Sequence, residues 1–183
     1  NSSGLSVVKR VRTWHGNSQE SGMAILRELK VLISPLTRRH PNIVSLEMYA
    51  WEVLEGGTPA ISPVLYLERA AGSLADLQTQ EKLPYSRKRA IMLDISRGLS
   101  ALHAVGVIHG DLKSENVLVF QNGNGYLAKL CDFGFSIILA DIDGSKARLV
   151  GGTALWMAPE CSKRDTIPAS LLKKTDYYPL GLL

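Results

Sequence analysis

The chain has 183 residues, 45% of them hydrophobic and 21% charged, which is the balance of a globular protein long enough to bury a sizeable core. Its net charge is +4 and the basic residues are scattered rather than gathered into a block, so the charge pattern gives no clear nucleic-acid partner. There is no apolar run long enough for a membrane segment and no signal-peptide pattern, and the two cysteines, Cys131 and Cys161, lack metal spacing; a reducing, cytoplasmic setting is expected.

Asn1 to Gly4 is polar and expected to fray. Leu5 to Val11 reads as a strand, with Val7, Val8 and Val11 around Lys9. From Ser21 to Ile33, Ile25, Leu29 and Leu32 recur at helical spacing, and Pro35 stops the run; Glu28 lies within it. His40-Pro41-Asn42 turns into a strand that reaches about Ala50, and Glu55 to Pro59 reads as a hairpin turn. Val64 to Glu68 is a further strand, running out into Arg69-Ala70-Ala71-Gly72-Ser73-Leu74. The longest helix is expected from Ser86, as its N-cap, to Val105. Ile91, Ile95, Leu99 and Leu102 form its buried stripe and Gly106 its end. His103 on that helix is expected to serve packing or to lie on the surface. Val117 to Phe120 and Tyr126 to Leu130 form a hairpin around two Asn-Gly pairs. Repeats, linkers and low-complexity tracts are not seen in the sequence.

Between that helix and that hairpin lies Val107-Ile108-His109-Gly110-Asp111-Leu112-Lys113-Ser114-Glu115-Asn116. An apolar run leads in, a polar turn carries the chemistry, and a β-branched run leads out. An Asp able to accept a hydroxyl proton, a Lys two residues on and an Asn five residues on suit phosphoryl transfer. The Lys offsets phosphate charge, and the Asn amide oxygen suits a hard cation.

This stretch resembles the H-R-D-L-K-x-x-N catalytic loop of eukaryotic protein kinases, with Gly110 where Arg is usual. Leu130-Cys131-Asp132-Phe133-Gly134, Gly152-Thr153 through Ala158-Pro159-Glu160, and Lys174-Thr175-Asp176 follow in the family's order. The resemblance covers nearly the whole chain and is strongest from Gly106 to Glu160. It implies an α+β, two-lobed fold that is incomplete at both ends. Residues 1–67 would be a partial N-lobe, 68–72 the hinge, and 73–183 a partial C-lobe ending in a helix begun near Asp176.

The same resemblance implies a protein Ser/Thr kinase that uses ATP and Mg²⁺ and acts on a protein substrate with a Ser or Thr hydroxyl. Trp156-Met157 suggests a tyrosine-kinase-like branch. Val7 and Leu118 would enclose adenine, with Leu67 as gatekeeper and backbone groups near Glu68 and Ala70 hydrogen-bonding the base. Lys9 would contact the phosphates and pair with Glu28. Asp111 would take the hydroxyl proton and Lys113 stabilise the migrating phosphoryl group, with Thr153 bonded to both. Asn116 and Asp132 would hold Mg²⁺. His109 and Phe133 would stack with Leu32 and Leu46, and Cys131 would pack as a small hydrophobe.

Three departures qualify the match. A G-x-G-x-x-G loop does not precede Lys9; Gly110 removes the cation that grips an activation-loop phosphate; and the chain stops at Leu183, leaving Glu160 and the last helix exposed. A nucleotide-binding scaffold without transfer activity is therefore the alternative function. A small-molecule phosphotransferase, whose H-G-D-L loop is also similar, ranks last because such enzymes lack the A-P-E and G-T elements.

Overall fold

The computed structural model describes residues 6–10, 18–54, 60–149, 151–162 and 166–183. Gly4, Val11, the 55–59 turn and residues 163–165 lie outside that set. The order is β1 (Ser6–Lys9), α1 (Ser18–Ile33), β2 (Leu46–Leu54), β3 (Ala60–Glu68), β4 (Gly72–Ser73), α2 (Leu74–Gln80), α3 (Tyr85–Ala104) and β5 (Val107–Ile108). It continues through β6 (Val117–Asn122), β7 (Gly125–Leu130), β8 (Ile137–Ile138), β9 (Lys146–Ala147), α4 (Pro159–Ser162), β10 (Ile167–Pro168), α5 (Leu172–Thr175) and α6 (Tyr177–Leu182).

An antiparallel sheet, β1-β3-β2, occupies the N-terminal part. Its register sets Val7 opposite Leu67 and Lys9 opposite Leu65, so these four residues share one face. Helix α1 buries Ile25, Glu28, Leu29 and Leu32, a spacing that fits a single helical face. A buried carboxylate in an apolar stripe needs a cation, and the sheet supplies it.

Helix α2 opens with a capping box in which Ser73 Oγ accepts from Asp76 N–H and the Asp76 carboxylate accepts from Ser73 N–H. Helix α3 starts at Tyr85 with Pro84 at the cap, so Ser86 lies inside the first turn and is not the N-cap. Pro84 supplies an extended residue before the helix, and its missing N–H costs nothing there. The buried stripe is as expected, with Asp94, Gly98 and His103 added to it, and Gly106 ends the helix at φ 74°. The strands extend further than the sequence suggests: β2 runs to Leu54, and β3 begins at Ala60.

The two parts share one core, in which Leu32, Ile43, Leu65, Leu99, Leu130 and Phe133 are fully enclosed. Backbone bonds join them as well: Val44 N–H donates to Leu130 O at 2.9 Å and Leu130 N–H to Asn42 O at 3.0 Å. Strand β7 is thereby fastened to the chain that leads into β2. A second, smaller cluster of Ile108, Ile137, Ala158, Cys161, Ile167 and Leu172 supports the C-terminal segments. Tyr177, Tyr178 and Leu182 on α6 are exposed.

Candidate active site

Lys9, Glu28 and Asp132 come from β1, α1 and the residues after β7, and they meet at one ammonium. Lys9 Nζ lies 2.6 Å from Glu28 Oε2 and 2.9 Å from Asp132 Oδ1. Glu28 is 0% exposed, whereas the side chains of Lys9 and Asp132 are 36% and 43% exposed, so the trio opens on its Asp132 side. Burial raises the Glu28 carboxyl above its ordinary value, and Lys9 only partly offsets this. For Lys9, burial pulls downward, but the two carboxylates outweigh it and hold the ammonium above its usual range. Asp132 is pushed up by burial but ends lowered, chiefly through Lys9, and so it is ionised at neutral pH. Its backbone is left-handed at φ 60°, a conformation Asp tolerates better than most residues. Arg27, which the sequence did not single out, donates to Gly134 O at 2.9 Å and ties α1 to the same turn.

The second cluster is centred on Asp111. Its Oδ1 accepts from Thr153 N–H at 2.7 Å, and its Oδ2 lies 2.9 Å from Lys113 Nζ and 3.1 Å from Asn116 Nδ2. Asn116 Nδ2 also donates to Asp111 O, and Lys113 Nζ to Thr153 Oγ1 at 2.6 Å. The Asp111–Lys113–Thr153 contacts expected from the sequence are therefore present. With its amide nitrogen committed to Asp111, Asn116 has its carbonyl oxygen as the atom suited to a cation.

The loop backbone is held from below by Asp176. Its carboxylate accepts from His109 N–H at 2.8 Å and from Gly110 N–H at 3.0 Å, and lies 2.8 Å from His103 Nε2. Asp176 stands at the N-cap position of α6 but makes no capping bond, because its carboxylate is given to the loop. His103 is thus buried and polar-bonded, a role its place on an apolar stripe did not reveal.

Gly110 does more than remove a cation. Its φ is 78°, and a Cβ there would overlap the carbonyl oxygen of Phe135. Gly151 leaves room in the same way for the ring of Phe135. The loop at Gly110 and the chain at Gly151 therefore both approach Phe135 more closely than side chains at those positions would permit.

The rings of His109 and Phe133 pack in a tilted arrangement at 5.3 Å between centroids, and Phe133 lies in the core that also holds Leu32 and Leu46. Burial lowers the His109 imidazole, favouring the neutral form. Cys131 is buried and its thiol is pushed up to about 12, which suits packing rather than reactivity.

Leu118 is half-buried on β6, and Val7 and Leu67 are cross-strand partners on the face that carries Lys9. Glu68 N–H is already donated to Ser45 O, and Ala71 N–H to Val119 O. A base bound at this edge would have to use the Glu68 carbonyl or the Ala70 peptide. Among the described residues no group of three or more His, Cys, Asp or Glu side chains gathers as a metal cage. A cation held by Asp132 and Asn116 would complete its shell with phosphate oxygens, which is how Mg²⁺ is usually bound. The ionised, partly exposed Asp132 and the Asn116 amide fit that chemistry.

The protein kinase domain family matches residues 1–183, and the chain belongs to that family. It is similar to serine/threonine-protein kinase shk2 of Schizosaccharomyces pombe, with 34% identity over 166 residues, 87% of this chain and 24% of the relative. It is also similar to serine/threonine-protein kinase STE20 of Saccharomyces cerevisiae, with 32% identity over 182 residues, 98% of this chain and 17% of the relative. Serine/threonine-protein kinase CST20 of Candida albicans is 35% identical over 146 residues, 79% of this chain and 11% of the relative. The chain thus spans less than a quarter of the length of these relatives. Among the described residues no helix is long and apolar enough to cross a membrane.

Proposed function

We propose that this chain is part of the catalytic domain of a protein Ser/Thr kinase, with residues 1–67 and 73–183 contributing to its two lobes around a hinge at 68–72. The observation that carries this reading is the meeting of Lys9, Glu28 and Asp132, residues far apart in sequence, at one open-sided ionic site. ATP supplies the phosphoryl group, and Mg²⁺ supplies positive charge that offsets the charge on its phosphates. Asp111 accepts the proton of a Ser or Thr hydroxyl as its oxygen bonds to the γ-phosphorus and the bond to the β-bridging oxygen breaks. Lys113 lies beside Asp111 and stabilises the transferring group, while Thr153 and Asn116 hold the Asp111 carboxylate in orientation. Lys9, fixed by Glu28, orients the phosphates, and Asp132 and Asn116 hold the cation. Little covalent chemistry falls to the protein, so positioning and charge must lower the barrier.

The Lys113–Thr153 contact supports Ser/Thr over Tyr acceptors. The test is transfer of label from γ-labelled ATP to a Ser/Thr-containing protein, comparing the full chain with Asp111→Asn. We expect a loss of about 100-fold or more with ATP affinity within threefold, in line with what a general base contributes. Turnover within tenfold of the unaltered protein would reject Asp111 as the base. ATP binding without any transfer by the unaltered protein would instead favour the scaffold reading.

A further inference from the structure

The Glu68 carboxylate is engaged far beyond what a strand-end residue needs. Its Oε1 accepts from Ser45 N–H at 2.6 Å and from Lys129 Nζ at 2.8 Å, and its Oε2 also accepts from Lys129 Nζ at 2.8 Å. The side chains of Lys129 and Glu68 are only 12% and 20% exposed. Lys129 Nζ also lies 4.7 Å from the centre of the Phe120 ring, so the ammonium sits between a carboxylate and an aromatic face. A partly desolvated, two-point pair of this kind fixes geometry more firmly than a surface ion pair.

Its location gives that geometry a use. Lys129 is the cross-strand partner of Leu118, the residue assigned to the floor of the adenine slot. Glu68 opens the 68–71 segment, whose backbone is assigned to the edge of the base. Ala71, at the far end of that segment, donates to Val119 O at 3.0 Å. The edge is therefore fastened to the β6–β7 hairpin at both ends, at Glu68 through Lys129 and at Ala71 through Val119. The distance between floor and edge follows from these two fastenings. Lys9 can give up its Asp132 contact to phosphates when nucleotide enters while Glu28 holds it, whereas the Lys129–Glu68 pair involves none of the phosphate-side residues and can persist.

Resting on the nucleotide reading above, we infer that Lys129 is a positioning residue for the adenine slot, setting its width through Glu68. It acts through the hinge backbone rather than by touching the phosphates.

The test is the affinity of the full chain for ATP and, separately, for adenosine, by titration calorimetry, in the unaltered protein, Lys129→Met and Lys129→Arg. Methionine keeps much of the stem and removes the charge; arginine restores a cation able to meet both carboxylate oxygens. Lys129→Met is expected to weaken ATP and adenosine alike by about tenfold, leave kcat within threefold, and be rescued to within about threefold by Lys129→Arg. Unchanged affinities with only a lower Tm, or a loss for ATP but not for adenosine, would overturn the assignment. If Lys129→Met does not fold, Glu68→Gln must show the same paired loss, and unchanged affinities there overturn it equally. Failure of the unaltered protein to bind either compound would reject the nucleotide reading itself, whereas normal binding in both proteins rejects only the role of Lys129.

Discussion

Lys9→Met should destabilise the protein in a pH-dependent way. Removing the ammonium leaves Glu28 fully buried and Asp132 beside it, two carboxylates with no cation between them. Breaking one side of a buried pair costs about 3–5 kcal/mol. That figure is an upper bound here, because Lys9 is 36% exposed and water screens the pair; about 1–3 kcal/mol near pH 8 is expected. Burial and Asp132 both raise the Glu28 carboxyl, and Lys9 is what opposes them. Without Lys9 the folded-state value climbs further above the unfolded one. An acid raised by folding contributes stability that is fully present below its unfolded value and lost as pH rises through its folded value. The deficit of the variant should therefore shrink toward pH 5, where Glu28 can take up a proton, and grow toward pH 8. Urea denaturation of both proteins at the two pH values measures this. An equal deficit at both, or a larger one at pH 5, would show that Glu28 is not the group left uncompensated.

Gly110→Arg should not recreate a phosphate-gripping cation. The left-handed φ of 78° and the overlap of a Cβ with Phe135 O are expected to cost about 1–3 kcal/mol in denaturation, and a change below about 0.5 kcal/mol would show that the loop can move aside. Ser145→Ala should change activity by less than about threefold, under roughly 0.7 kcal/mol. Lys30 is already paired with Asp141 and Arg27 with Gly134 O, which leaves a Ser145 phosphate, among the described residues nearby in sequence, the exposed Lys146 and Arg148. A tenfold loss restored by Ser145→Glu would show that another cation orders the segment.

The residues of the two clusters could be singled out in the sequence because they sit in short runs. Asp111, Lys113 and Asn116 lie on one loop, and the carboxylate of Asp111 contacts both of the others. Lys9 and Glu28 were legible as a pair only through the resemblance; the periodicity of α1 shows that Glu28 is buried but not what faces it. What stayed hidden are side chains whose partners lie in other elements. Glu68 was noticed for its backbone, yet its carboxylate meets Lys129, 61 residues on. His103 looked like packing, yet it meets Asp176, 73 residues on. Neither has a local pattern, so only tertiary placement reveals it. Ser86 failed as a cap for the opposite reason: a local alternative, Pro84, started the helix first.

The two halves of the site are stabilised differently, and His109 joins them. The Lys9 trio depends on charge and on solvent exposure, whereas the Asp111 cluster adds to its Lys113 ion pair a set of hydrogen bonds, and two backbone amides of its loop donate to Asp176. Asp111 N–H approaches His109 Nδ1 at 3.4 Å, which requires a lone pair on that nitrogen. Nε2 then carries the hydrogen and donates to Cys131 O, the carbonyl just before Asp132, at 3.1 Å. One neutral imidazole thus links the backbone of Asp111 to the backbone leading into Asp132. Protonation would take away the lone pair and break the Asp111 side of that link. Burial opposes it by lowering the imidazole below its ordinary value, so this contribution is present above the unfolded value and is lost as pH falls through the folded one. The ring's burial against Phe133 therefore keeps the two clusters in register as well as filling the core.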